Sequence, residues 1–242
     1  MNLKTALVTG ASRGIGRSIA LLLASRGYHV YLNCRASHSE LEELHKEINS
    51  AGGSSSLSYG DVGNADDVRR IFAQIRQDHE NLDVLINNAG ISHIGLLSDM
   101  SDEQWEQLLQ TNLSSVFYCC RAAIPGMVAR KKGKIINISS IWGVNGASCE
   151  VAYSASKAGV NGLTQALARE LAPSSIQVNA LACGVIDTAM NRQLDYDERR
   201  TLADAIPAGR FGTPEEVAEM VWNIITAPSY VTGQIIGDDG GY

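Results

Sequence analysis

The chain has 242 residues, 45% of them hydrophobic, and a formal net charge of −6, which suits one large α/β domain whose core needs no disulfides. The mild acidity argues against nucleic acid as a general partner, and no uninterrupted apolar run approaches the ~18 residues of a membrane span. Met1-Asn2-Leu3-Lys4 leads straight into a strand, so no signal peptide is expected; Cys34, Cys119, Cys120, Cys149 and Cys183 form no C-x-x-C pair and read as reduced cytoplasmic thiols without a metal site.

The first strand, Thr5–Thr9, runs into Thr9-Gly10-Ala11-Ser12-Arg13-Gly14-Ile15-Gly16 and then a helix over Gly14–Arg26 with Ile19, Leu22 and Leu23 on its apolar face. A strand that turns through glycines into a helix offers bare backbone N–H groups and a positive helix end to a phosphate. Glycines also make ordinary turns, so this stretch gains its weight from motifs further along the chain. The second strand, His29–Asn33, continues into Cys34-Arg35-Ala36-Ser37 and meets no acid until Glu40. In dinucleotide-binding sheets an acid here holds a ribose 2′-hydroxyl, whereas a base accommodates a 2′-phosphate. Arg35 with Arg13 therefore favours NADP(H), the alternative being two solvated surface charges. A helix over Ser39–Ala51 and a strand at Ser56–Tyr59 precede Asp61-Val62, which reads as an adenine edge or, for Asp61, as the cap of a turn. A helix over Ala65–His79 and a strand at Val84–Asn87 lead to Asn87-Asn88-Ala89-Gly90, two amides and a glycine where a parallel sheet binds ligands.

A long helix over Asp102–Ala129 carries Asn112 on one stripe with Trp105, Leu108, Leu109, Val116 and Cys119. A buried amide needs partners, which makes Asn112 structural, functional or both. The strand Lys134–Ser139 ends at two hydroxyls, Ser139 and Ser140, that compete for any role in holding a substrate carbonyl. A helix over Tyr153–Leu171 sets Tyr153 and Lys157 four residues apart on one face. A free tyrosine titrates near 10, and a nearby ammonium favours the phenolate, which would fit Tyr153 for acid–base work on a carbonyl or alcohol. Taken alone, Tyr-x-x-x-Lys is also a common helix-surface pair. After a strand at Gln177–Ala182, the polar stretch Asp187–Arg210 reads as a substrate lid. The helix Pro214–Thr226 opens on a Thr213 cap, and Gln234–Gly237 forms the last strand. This alternation predicts a single Rossmann-type, doubly wound parallel sheet of about seven strands with helices on both faces.

Taken together in this order, Thr9-Gly10-x-x-x-Gly14-x-Gly16, Asn87-Asn88-Ala89-Gly90, Asn112, Ser140 and Tyr153-x-x-x-Lys157 resemble the short-chain dehydrogenase/reductase family over essentially the whole chain. Thirteen residues separate Ser140 from Tyr153, the interval of that family, which selects Ser140 over Ser139. Within the family, Thr111–Phe117, Ile206–Gly212 and Tyr230–Gln234 look most like the bacterial 3-oxoacyl-[acyl-carrier-protein] reductases. The resemblance implies NADPH-dependent reduction of a 3-oxoacyl thioester to a (3R)-3-hydroxyacyl thioester in type II fatty-acid synthesis. It implies that Tyr153 gives the proton, Ser140 fixes the keto oxygen, Lys157 lowers the tyrosine pKa and binds the nicotinamide ribose, and Asn112 holds a relay water. Cofactor contacts carried over are Gly10, Ala11, Ser12, Arg13, Gly14, Ile15, Gly16, Arg35, Asp61, Val62, Asn88, Ala89, Gly90, Tyr153, Lys157, Ile186 and Thr188. Trp142, Asn145 and Cys149 are expected on the substrate side with Ser140 and Tyr153. A homotetramer is implied, with the last helix and Gln234–Gly237 at one interface. Two departures stand out: Cys183-Gly184 replaces the family's Pro-Gly, and Ser174 stands where carrier-protein docking calls for a base opposite Arg130-Lys131-Lys132 and Lys134. Reduction of another ketone, sugar, steroid or quinone-like carbonyl is the alternative function, and a non-catalytic NADP(H)-binding protein a more distant one.

Overall fold

In the computed structural model, which describes residues 3–79, 81–191 and 194–242, strands and helices alternate along the chain. They run β1 (Lys4–Val8), α1 (Gly14–Ser25), β2 (Tyr28–Cys34), α2 (His38–Ser50), β3 (Ser54–Tyr59), α3 (Ala65–Asp78) and β4 (Val84–Asn87). Next come α4 (Asp102–Leu109), α5 (Ser115–Arg130), β5 (Gly133–Ser140), α6 (Trp142–Asn145), α7 (Val151–Leu171) and β6 (Ile176–Cys183). The last elements are α8 (Tyr196–Ala205), α9 (Pro214–Thr226) and β7 (Ile235–Asp238). The strands form one seven-stranded sheet in the order β3-β2-β1-β4-β5-β6-β7, with every neighbouring pair parallel. The order reverses between β1 and β4, and a crevice opens there at the carboxyl ends of the strands. The expected fold and all seven strands are present, each within two residues of its expected bounds. Among the described residues no helix is long and apolar enough to cross a membrane.

Side chains alternate across a strand, and here the alternation sorts them into two cores. Ala6, Val8, Val84, Ile86, Ile136, Ile138 and Leu181 pack under α1, α2 and α9. Leu7, Leu85, Ile135 and Val178 face the other way, under α3, α5 and α7. All eight residues of β6 are buried, as strands covered on both faces must be.

The helix expected over 102–129 is not continuous. A π turn over Gln110–Ser114 separates α4 from α5 and holds Asn112 at its centre. Such turns often arise where a side chain is drawn out of helical register by a partner elsewhere, and Asn112 has one in the Ile91 backbone. Within the expected lid, α8 starts on an Asp195–Glu198 capping box, and residues 192 and 193 lie outside the described structure. Thr213 caps α9 with Pro214 in its first turn, as its sequence specifies.

Away from the crevice, at the beginning of β2, the His29 imidazole lies 2.7 Å from Ser54 Oγ and 3.1 Å from Ser56 Oγ, and its ring centre is 4.3 Å from that of His79. Burial, together with the proximity of His79, pushes its pKa down from 6.5 to about 4. The unfolded chain binds this proton below its own pKa while the fold refuses it. Stability is therefore fully present above pH 6.5 and declines as the pH falls towards 4, by up to roughly 3 kcal/mol from this group. His29→Asn is expected to flatten that part of the pH dependence, measured as urea midpoints between those limits.

Candidate active site

The glycine turn after β1 is shaped by positions that admit no side chain. Gly10 and Gly14 have φ of +63° and +54°. A Cβ on Gly16 would run into Gly10 O and lie 2.5 Å from Asn88 Nδ2. The turn is pinned from across the topological reversal. Asn88 Nδ2 donates to Thr9 O at 2.8 Å and Gly10 O at 3.1 Å, while Thr9 Oγ1 accepts from the backbone N–H groups of Asn88 and Ala89. The α1 helix then begins at Gly14 with no side-chain cap from Arg13, leaving its first N–H groups to the crevice. Close approach of backbone without Cβ atoms, at an uncapped helix start, is the environment a pyrophosphate requires, so these residues fit a dinucleotide.

Arg35 comes directly after β2 and lies 3.6 Å from the Asp61 carboxylate, with half of its side chain exposed. Asp61 also accepts from Gly63 N at 2.8 Å, so it caps its turn and faces the cofactor end at once. Val62 packs into the same core as Val68 and Phe72. On the opposite wall Ile186 is buried and pairs with Gly212. The Thr188 methyl would meet a Cβ on Gly14 at 3.3 Å, which lays Thr188 over the glycine turn.

Lys157 lies on α7, the helix that also carries Tyr153. It is 4% exposed, and its ammonium donates to Ile138 O at 2.8 Å. Burial pushes its pKa down from 10.5 to about 8. Its Nζ lies 5.6 Å from the centre of the Tyr153 ring, and a Cβ on Gly90 would sit 3.4 Å from Asn112 Oδ1 and 3.7 Å from Lys157 Nζ. Asn112 is 1% exposed; its Oδ1 accepts from Ile91 N and its Nδ2 donates to Ile91 O, both at 2.8 Å. This amide fixes the backbone next to Gly90. The tyrosine's own setting differs from the sequence expectation. Burial raises the Tyr153 pKa, Glu150 and Cys183 push the same way, and a hydrogen bond from Ser140 opposes them. Tyr153 therefore keeps its proton at neutral pH, the state a proton donor needs.

The competition between the two serines is resolved by the alternation of β5. Ser139 points under α7 and donates to Asn161 Oδ1 at 2.7 Å. Ser140 turns to the crevice, where its Oγ accepts from Trp142 N at 3.2 Å and stands next to the Tyr153 hydroxyl. Trp142 packs edge-on against Tyr242 at 5.6 Å. Asn145 ends α6 with its side chain exposed. Cys149 takes a left-handed φ of +62° and its carbonyl accepts from Gly95 N at 2.8 Å. Cys183 is paired with Ser140 on one side and Asp238 on the other, and burial pushes its thiol up to about 12.

One neighbour of the site went unnoticed in the sequence. Glu150, immediately before α7, makes no side-chain cap; burial raises its carboxyl pKa and a hydrogen bond with Trp142 opposes the shift. Its place three residues before Tyr153 was the available signal. Three of the expected basic residues make local contacts. Arg130 and Lys132 approach Asp83 at 3.3 and 3.7 Å, and Lys134 donates to Ala227 O. These residues lie where β5 begins and Ser140 where it ends, about 20 Å along the strand.

Residues 4–199 match the family described as short chain dehydrogenase. The chain is 42% identical to a Staphylococcus aureus protein named 3-oxoacyl-[acyl-carrier-protein] reductase FabG, over 98% of this chain and 97% of that one. It is 40% identical to a Thermotoga maritima protein of the same name, over 98% and 97%. A Bacillus subtilis protein named uncharacterized oxidoreductase YmfI is 38% identical over 99% and 98%.

Tyr153→Phe is expected to lower carbonyl turnover by about a hundredfold or more, the usual share of general acid catalysis, while NADPH affinity stays unchanged in a fluorescence titration. In the unsubstituted protein, kcat/KM for reduction should fall as the pH rises through about 8, where Lys157 loses its charge, and Lys157→Met should abolish that limb.

Proposed function

Because the chain belongs to the short chain dehydrogenase family, we propose that this oxidoreductase reduces a 3-oxoacyl thioester carried on acyl-carrier protein to the (3R)-3-hydroxyacyl thioester, using NADPH. The observation that carries the reading is the convergence of Ser140, Tyr153 and Lys157 beside a glycine turn built for a pyrophosphate. When bound, the nicotinamide supplies the hydride. The protein's part is to orient the keto oxygen and to provide one proton. Trp142 N occupies a lone pair of Ser140 Oγ, and the one hydroxyl hydrogen turns from the tyrosine to the keto oxygen when substrate binds. Tyr153 Oη then donates its proton to the same oxygen as the carbonyl carbon becomes tetrahedral. The Lys157 ammonium stabilises the phenolate left behind. Asn112 holds the Ile91 backbone and thereby the wall beside Gly90.

Selection of NADPH rests on Arg35 and Arg13, since a guanidinium suits a 2′-phosphate and no acid ends β2. The free thiols, four of the five buried, suit a reducing cytoplasm. A homotetramer accounts for Phe117 and Val128, exposed on α5, and for β7, which stands at one end of the sheet order. For Asp187–Arg210 we retain the role of a substrate lid, anchored by an Arg199–Asp187 ion pair of 2.6 Å and by Arg199 over the Phe211 ring.

The direct test is NADPH oxidation, followed at its absorbance band, with an acetoacetyl thioester as substrate and NADH in parallel. Rapid, NADPH-selective turnover is expected. Silence with intact NADPH binding would reject the thioester and favour another carbonyl. Arg35→Asp is expected to move the ratio of kcat/KM values towards NADH by at least about tenfold, equivalent to one charge-assisted contact. An unchanged ratio would remove Arg35 from cofactor selection.

A further inference from the structure

Asn161 lies one turn beyond Lys157 on α7 and is 9% exposed, an amide set into the packing between helix and sheet. Both of its polar atoms are engaged. Oδ1 accepts from Ser139 Oγ at 2.7 Å, and Nδ2 donates to Gly143 O at 3.0 Å. Ser139 immediately precedes Ser140, and Gly143 comes directly after Trp142. One side chain thus grips the chain on either side of the segment that presents Ser140 and Trp142 to the crevice.

The far side of the grip is equally constrained. A Cβ on Gly143 would lie 2.7 Å from the Lys157 carbonyl carbon and 2.8 Å from Lys157 Cβ, so the α6 turn rests directly on the backbone that carries Lys157. An apolar side chain would fill the space of Asn161 without the desolvation cost of an amide. The strand end and the α6 turn meet at Ile141, and the amide ties both to α7. Acid catalysis requires the oxygen-binding hydroxyl and the proton donor to keep their separation within a fraction of an ångström.

We propose that Asn161 is a positioning residue, a two-armed clamp that acts through Ser139 and Gly143 to set Ser140 and the Trp142 turn against Tyr153 and Lys157. The two arms have different consequences. The Ser139 arm aligns Ser140 and governs the chemical step. The Gly143 arm holds the turn bearing Trp142 and governs substrate binding as well. The assignment rests on the reading of Ser140 and Tyr153 as the carbonyl-reducing pair.

The test compares the full-length wild type with Ser139→Ala, Asn161→Leu and the double variant. Steady-state constants are measured with NADPH and an acetoacetyl thioester, NADPH affinity by fluorescence, and amide exchange over residues 140–145 by mass spectrometry. Ser139→Ala should lower kcat by about tenfold at unchanged KM, the scale of a modest misalignment of reacting groups. Asn161→Leu should lower kcat at least as far and raise KM several-fold. The double variant should be no worse than Asn161→Leu, because both changes cut the same clamp. NADPH affinity should be unchanged throughout, and exchange over 140–145 should quicken in Asn161→Leu. Wild-type exchange in that variant, single losses that multiply, or NADPH binding that weakens in step with kcat would overturn the proposal. If Asn161→Leu does not fold, Ser139→Ala decides: a kcat loss at unchanged KM supports the clamp and an unchanged kcat refutes it. Wild-type silence towards the thioester with NADPH bound would instead reject the proposed substrate, and the exchange measurement would still judge the clamp.

Discussion

A buried ammonium is the constraint around which the rest of the site is arranged. Lys157 is enclosed with one carbonyl, Ile138 O, for its proton. Removing a cation from water is costly, and the protein answers with a depressed pKa as well as with the hydrogen bond. The walls close in because their residues are small. Gly90 and Gly143 both stand where a Cβ would crowd Lys157 or its neighbours, at Gly143 to the point of collision. Asn112 and Asn161 then fix the backbones that carry or adjoin those glycines. The ammonium's place is therefore set by amide hydrogen bonds on two sides rather than by a carboxylate partner. A carboxylate there would neutralise the ammonium's charge.

The same logic extends into the sheet. Asn87 Nδ2 donates to Asn137 Oδ1, and Asn137 Nδ2 donates to Thr164 Oγ1, all among buried groups. These amides run from β4 through β5 to α7, parallel to the Ser139–Asn161 contact one turn along. Buried amides are tolerated when each donor and acceptor is matched, and once matched they fix register more strictly than apolar packing does. The helix that bears Tyr153 and Lys157 is thus keyed to the strands by polar contacts at defined heights. Apolar contact between α7 and the sheet supplies the bulk of the burial, and the amides decide the alignment.

Charge is distributed along the crevice in a way that separates two tasks. Arg35, Asp61 and Arg13 stand at the end where β2 finishes, open to solvent. Lys157, Tyr153, Cys183 and Glu150 stand at the other, where burial governs each pKa. A solvated guanidinium keeps its charge and can read a phosphate. A half-buried tyrosine whose pKa is raised keeps its proton at neutral pH. Cys183 adds a small neutral thiol between the strand of Ser140 and Asp238.

The sequence by itself determined the parallel sheet, the glycine turn and the Tyr153–Lys157 pair, because each arises from short-range rules. Buried strands read as aliphatic runs, left-handed turns need glycine, and residues four apart share a helix face. The cap of α9 was legible for the same reason. The tertiary structure alone decided which serine faces the crevice on packing grounds, since Ser139 and Ser140 differ only in which side of β5 meets α7. It alone placed the π turn at Asn112, whose partner Ile91 is twenty-one residues away. It alone brought Asn161 between Ser139 and Gly143. These outcomes depend on contacts between elements distant in sequence, and no periodicity within either element encodes them.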